Sequence, residues 1–166
     1  TPKLVLASNV FAHSDSLDGI TRNVFNLLKP QGTFIIEVQY LMDTIHDMTF
    51  DNIYHEHVNY WSVSALVHFM SELGYWVNRV EHIDTHGGSI RCYVGGEMCM
   101  LQQDNTVKEF VDKELSMGIY SADTFKQFGK RVSAIRDTVR KNMTLLKQKY
   151  STICGYGSPA KATTAL

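Results

Sequence analysis

With 44% apolar and 20% charged residues over 166 positions, the chain has the composition of an ordinary globular domain and not of a disordered or fibrous one. A formal net charge of −1 and a pI near 6.6 give no electrostatic reason to expect nucleic acid or an anionic membrane as partner. Three cysteines, Cys92, Cys99 and Cys154, are odd in number and form no CxxC pair, which argues against a disulfide framework or a cysteine zinc site and for a reducing cytoplasm. No apolar run approaches the ~20 residues of a membrane span, so the chain reads as soluble.

Taken in order, Lys3 to Ser8 is nearly continuous in aliphatic character and predicts a strand covered on both faces, as in a parallel sheet. Asn9 and His13 then fall at or just beyond its carboxyl end, where ligands bind in open α/β sheets. The competing reading is that Asn9 closes a turn and His13 caps the next helix. Ser14-Asp15-Ser16 supplies N-cap chemistry, and Leu17, Ile20, Val24, Phe25 and Leu28 recur at helical spacing up to the Lys29-Pro30-Gln31-Gly32 stop. A second strand over Thr33–Val38 completes a βαβ unit.

Gln39 to Tyr60 is long for a βα connection, and it contains Ile53-Tyr54-His55-Glu56-His57, a run of a phenol, two imidazoles and a carboxylate. In extended geometry Ile53, His55 and His57 share one side and Tyr54 and Glu56 the other; if the loop turns, all four polar groups can converge. Ser62 caps a helix with Leu66, Phe69, Met70 and Leu73 on its core stripe, ended by Gly74. Tyr75–Ile83 and Ser89–Gly95 read as antiparallel strands about the Thr85-His86-Gly87-Gly88 turn, with Ile90, Cys92 and Val94 on one face.

Beyond Asp104 the pattern is helical. One stripe comprises Val107, Phe110, Val111 and Leu115, and a longer one runs from Phe125 through Phe128, Val132, Ile135, Val139 and Met143 to Leu146. The basic residues of the second helix read as a solvated face. Ser151 to Lys161 predicts a strand, a glycine turn and the start of a helix, with Gly155-Tyr156-Gly157-Ser158-Pro159-Ala160-Lys161 as either a phosphate cradle or a tight turn opening a second α/β domain.

Asn9-Val10-Phe11-Ala12-His13, Lys29-Pro30-Gln31-Gly32, Asp51 to His57, His86 to Arg91 and Gly155 to Lys161 resemble, in the same order, motifs of the S-adenosylmethionine-dependent sugar C-methyltransferases. The resemblance implies the C-terminal half of a class I methyltransferase Rossmann-like sheet, with an antiparallel last strand, followed by helices leading into a second, truncated Rossmann-like domain. The expected division is 1–100 for the partial methyltransferase domain, 101–150 for a helical connector and 151–166 for the start of the next domain, so that the chain reads as an internal piece of a longer protein.

The same resemblance makes His57 the base that removes a proton next to a sugar ketone. It makes Tyr54 the donor to the enolate oxygen, and Glu56 the group orienting an imidazole or a sugar hydroxyl. Asn9, His13, His55, His86, Arg91 and Lys161 fall on the substrate side. The implied cofactor is S-adenosylmethionine, whose glycine-rich loop is not in this stretch, and the implied partner is a nucleotide-sugar substrate, with no nucleic acid and no membrane. Two rival readings are a zinc site built on His55, Glu56 and His57, whose spacing is wrong for a helical HExxH, and a non-catalytic nucleotide-sugar-binding or scaffold fragment.

Overall fold

Strands β1 (Leu4–Ser8) and β2 (Thr33–Gln39) are parallel neighbours joined by helix α1 (Leu17–Leu27) in the computed structural model, which describes residues 1–157, 159 and 161–165. The strand expected from Ser151 does not form, since residues 151–157 are exposed and pair with no described strand; Ser158 and Ala160 of the expected glycine turn, and the terminal Leu166, lie outside the described residues. Strand β3 (Trp76–Ile83) and strand β4 (Ser89–Gly95) form the expected antiparallel pair, and β4 inserts beside β2 to give the order β1-β2-β4-β3. The connecting turn places His86, Gly87 and Gly88 at φ of +54°, +83° and +104°. Glycine is required at the last of these, because a Cβ on Gly88 would stand 2.6 Å from the Cβ of Asp43.

Strand alternation decides what the sheet buries. Phe34, Ile36 and Val38 of β2 and Ile90, Cys92 and Val94 of β4 share one face, and all are buried. Helices α1, α3 (Val63–Glu72) and α4 (Asn105–Ser116) join their core through Leu17, Leu66, Met70 and Val107. Complete burial of Leu66 and Met70 is worth about 1.5–3 kcal/mol each.

On the opposite face the sheet carries a polar ladder. Ser8 donates to Glu37 at 3.1 Å, Arg91 donates to the same carboxylate through Nε and Nη2 at 3.0 and 2.8 Å, and the Tyr93 hydroxyl donates to Glu81 at 2.9 Å. Here the expectation for β1 fails. Leu4 and Leu6 are 56% and 57% exposed, because they project from an edge strand on the side that no described helix covers.

The sequence stripe of α4 is corrected in the same way. Leu115 is 53% exposed, while Glu114, seven residues after buried Val107 and so on the same helical face, is fully buried. Hydrophobicity named the stripe one position late. The Glu114 carboxylate accepts from the Val63 and Ser64 N–H groups at 2.6 and 2.9 Å, and the Ser62 hydroxyl accepts from Ala65 N–H at 3.1 Å. The first three amides of α3 are thereby satisfied.

Helix α5 (Ala122–Lys149) buries no residue, and its stripe is exposed at Ile135, Val139, Met143 and Leu146. Its anchor is Arg131, which donates to the carbonyls of Ile45 and His46 at the end of the short helix α2 (Leu41–His46). A last four-residue helix, α6 (Ala162–Ala165), meets the loop that follows α2, where the Thr164 hydroxyl donates to Ile53 O at 3.1 Å. None of the described helices is long and apolar enough to cross a membrane.

Candidate active site

Four pieces of chain meet beyond the carboxyl ends of β1 and β2: the exit of β1, the loop after β2, the β3–β4 turn at His86, and Lys161 ahead of α6. The first leaves β1 at Asn9, whose N–H still bonds Glu37 O at 2.9 Å but whose φ of +54° turns the chain out of the ladder. A single 3-10 turn, Phe11–His13, follows. It is held by Phe11, buried against Phe34, Trp61 and Phe69 at ring separations of 5.7 to 6.2 Å. The apolar ring anchors the turn and leaves His13 at the sheet edge.

The second piece is the long loop after β2. Its ends are pinned together, since Tyr40 and Trp61 form an isolated parallel bridge and Leu41 N–H donates to Trp61 O at 2.9 Å. Within it, the motif is neither extended nor fully convergent. His57 N–H donates to Tyr54 O at 3.0 Å, closing a four-residue turn in which the first and fourth side chains approach and the middle two stand at the tip. The Tyr54 and His57 rings therefore lie 4.6 Å apart, whereas the side chains of His55 and Glu56 are 76% and 53% exposed. His57 and His13 come to 4.7 Å, edge to face.

Together these pieces enclose a cavity of about 140 Å³ lined by Asn9, His13, Gln39, Tyr54, His57, His86 and Lys161. Six of the residues expected from the sequence are thus brought together, and two of them, Asn9 and His86, hold left-handed backbone that non-glycine residues seldom adopt. Gln39 went unnoticed in the sequence. It is the last residue of β2, and the carboxyl-end rule applied to β1 would have found it if applied to β2 as well.

Three expected residues are not among those that line the cavity. Arg91 spends its guanidinium on Glu37 in the polar ladder, and His55 and Glu56 stand at the turn tip. His57 Nδ1 is held by a backbone carbonyl, and the imidazole that the Glu56 carboxylate stands beside is that of His55, at 4.0 Å. Among the described residues no three His, Cys, Asp or Glu side chains gather as a metal-ligand set.

That carbonyl fixes the chemistry of the ring. His57 Nδ1 lies 2.9 Å from Asn52 O, and because a carbonyl only accepts, Nδ1 carries the hydrogen and Nε2 keeps its lone pair. Burial lowers the His57 pKa below the ordinary imidazole value; the bond to Asn52 opposes this, and the charges of His13 and Lys161 add to the lowering. Burial, followed by the Glu56 carboxylate, raises the Tyr54 pKa, so the phenol stays a donor. A neutral base and a neutral acid therefore stand side by side at neutral pH. At about 140 Å³ the cavity is smaller than the roughly 300–1,000 Å³ that drug-sized ligands occupy, and most of the side chains that line it carry hydrogen-bonding groups.

An α/β domain with polar side chains gathered beyond its strand ends places a ligand site there, and sequence comparison gives the class. Residues 1–80 match a family model described as a methyltransferase domain, and residues 84–166 one described as a C-methyltransferase C-terminal domain. The chain belongs to the C-methyltransferase family. It is similar to C-methyltransferase NovU of Streptomyces niveus, at 31% identity over 164 residues that make up 99% of this chain and 39% of that protein. The chain thus spans about two-fifths of the length of this curated relative.

Proposed function

We propose that this chain forms the acceptor-binding and proton-abstracting part of an S-adenosylmethionine-dependent enzyme that methylates carbon next to a ketone of a nucleotide-linked sugar. The observation that carries the reading is the His57 tautomer, with Nδ1–H held by Asn52 O and Nε2 left as the basic atom in a cavity shared with Tyr54. The membership in the C-methyltransferase family supports the reaction class, and the ring of amides, imidazoles and one ammonium supports a hydroxylated acceptor. Strand β1 stands at an edge of the described sheet, paired on one side to β2, which supports reading the sheet as the C-terminal half of a class I methyltransferase sheet.

In this reading Nε2 of His57 takes the hydrogen on the carbon beside the ketone, the C–H electron pair moves onto the carbonyl oxygen, and the Tyr54 hydroxyl donates to that oxygen as charge develops. Asn9, Gln39 and His86 bond the sugar hydroxyls, and Lys161 adds positive charge on the same side. S-adenosylmethionine, when bound, supplies the electrophilic methyl group.

The direct test is product analysis with the full-length enzyme, a nucleotide-linked ketosugar and cofactor labelled with carbon-13 in the methyl group. The label is expected on carbon beside the carbonyl, and the substrate hydrogen there is expected to exchange with deuterated solvent. Label on oxygen or nitrogen would overturn the reading. A second expectation concerns pH. The base must be neutral and its pKa is depressed, so the acid limb of kcat/KM falls below about pH 6.5, the ordinary imidazole value. Activity is retained down to that lowered pKa and lost as pH drops through it, and an acid limb above 6.5 would contradict the burial of His57.

A further inference from the structure

The 4.7 Å approach of His13 and His57 joins two segments that are far apart in sequence. His13 ends a three-residue turn, and His57 ends a loop turn. Three hydrogen bonds fasten one segment to the other. Val58 and Asn59 both donate their backbone N–H to Ala12 O, at 3.1 and 3.2 Å, and the Asn59 side chain donates through Nδ2 to Ser14 O at 2.9 Å. The two main-chain bonds share one acceptor on the near side of His13. The side-chain bond alone grips the far side, at the residue that follows it.

We propose that Asn59 is a positioning residue for the acceptor site: its carboxamide locks the His13 turn onto the His57 turn and so sets the spacing of the two imidazoles across the cavity. A carbonyl only accepts, so the site demands a donor of this reach, which is a requirement on residue type and not only on size. The proposal rests on the reading of His57 as the proton acceptor only for its effect on rate; the effect on geometry stands apart from that reading. The groups acting on the His57 ring are His13 from the first segment, Tyr54 and Glu56 from its own turn, and Lys161 from beside α6. Releasing the Ser14 contact frees His13 to withdraw and water to enter.

The test uses Asn59→Ala and Asn59→Gln in the full-length enzyme, with two independent readouts. Imidazole titration by nitrogen-15 NMR is expected to show the His57 midpoint rising toward the ordinary value in Asn59→Ala, as its packing against His13 is lost and the ring becomes more hydrated. Steady-state kinetics is expected to show kcat/KM lower by roughly ten- to a hundredfold, the effect of misplacing a catalytic group by about an ångström. Asn59→Gln, which keeps the carboxamide, is expected to recover part of both. An unmoved His57 titration in Asn59→Ala overturns the proposal, whatever the rate does. A moved titration with an unchanged rate upholds it and instead counts against His57 as the base. If Asn59→Ala does not fold, Asn59→Ser, whose donor is too short to bridge to Ser14, takes its place in the same comparison.

Discussion

His57→Ala is expected to lower kcat for methyl transfer by about 10²–10⁴, the usual worth of a positioned general base. The expectation follows from three features acting on one ring. Asn52 O fixes the tautomer, burial holds the pKa down so that the ring is neutral at working pH, and the 54–57 turn sets the imidazole 4.6 Å from the phenol of Tyr54. Cofactor affinity is expected to stay within about twofold of wild type by calorimetric titration with S-adenosylhomocysteine, because in the proposed reading His57 faces the acceptor and not the nucleoside. Exchange of the substrate α-hydrogen with solvent should fall in step with kcat, since both require the same proton transfer. A variant that methylates at a near-wild-type rate would remove His57 from the mechanism, and one that exchanges normally but fails to methylate would move its role to a later step.

Glu114→Ala is expected to cost about 3 kcal/mol or more of folding stability, since each buried group left without its partner forfeits roughly 1–3 kcal/mol and two N–H groups lose theirs at once. The carboxylate is fully buried, and it meets the first two amides of α3, where the helix dipole favours negative charge. Its field also reaches Tyr40 and Cys92. Burial is the main cause of their raised pKa values, with the Glu114 charge behind it. Tyr40 begins the long loop after β2, and Val63 and Ser64 follow its end at Trp61, so the same carboxylate stands at the base of the loop that carries Tyr54 and His57. Glu114→Gln keeps one acceptor and is expected to cost about half as much by urea denaturation. Equal midpoints for wild type and Glu114→Ala would show that α3 finds other partners for its amides.

Much of this protein was settled by residue order. The period-two alternation of Ile90, Cys92 and Val94, the period-3.6 stripe of Leu66, Phe69 and Met70, and the Pro30–Gly32 and Gly87–Gly88 stops fix the strands, the helices and the hairpin, because these patterns depend only on which side of a local element each Cβ leaves. The carboxyl-end rule likewise singled out Asn9 and His13, and motif resemblance singled out Tyr54, His57, His86 and Lys161, all of which line the cavity.

What tertiary structure alone decided is which of the polar residues converge. A turn, not an extended segment, brought Tyr54 and His57 together and turned His55 and Glu56 outward, and a backbone carbonyl, invisible to any side-chain motif, selected the reactive nitrogen of His57. The destination of Glu114 in the core and of Arg91 in the sheet ladder depends on partners many residues away, as does the exposure of Leu4 and Leu6. Hydrophobic pattern records how a segment divides its faces. It does not record which neighbour, amide or carboxylate, waits opposite each face.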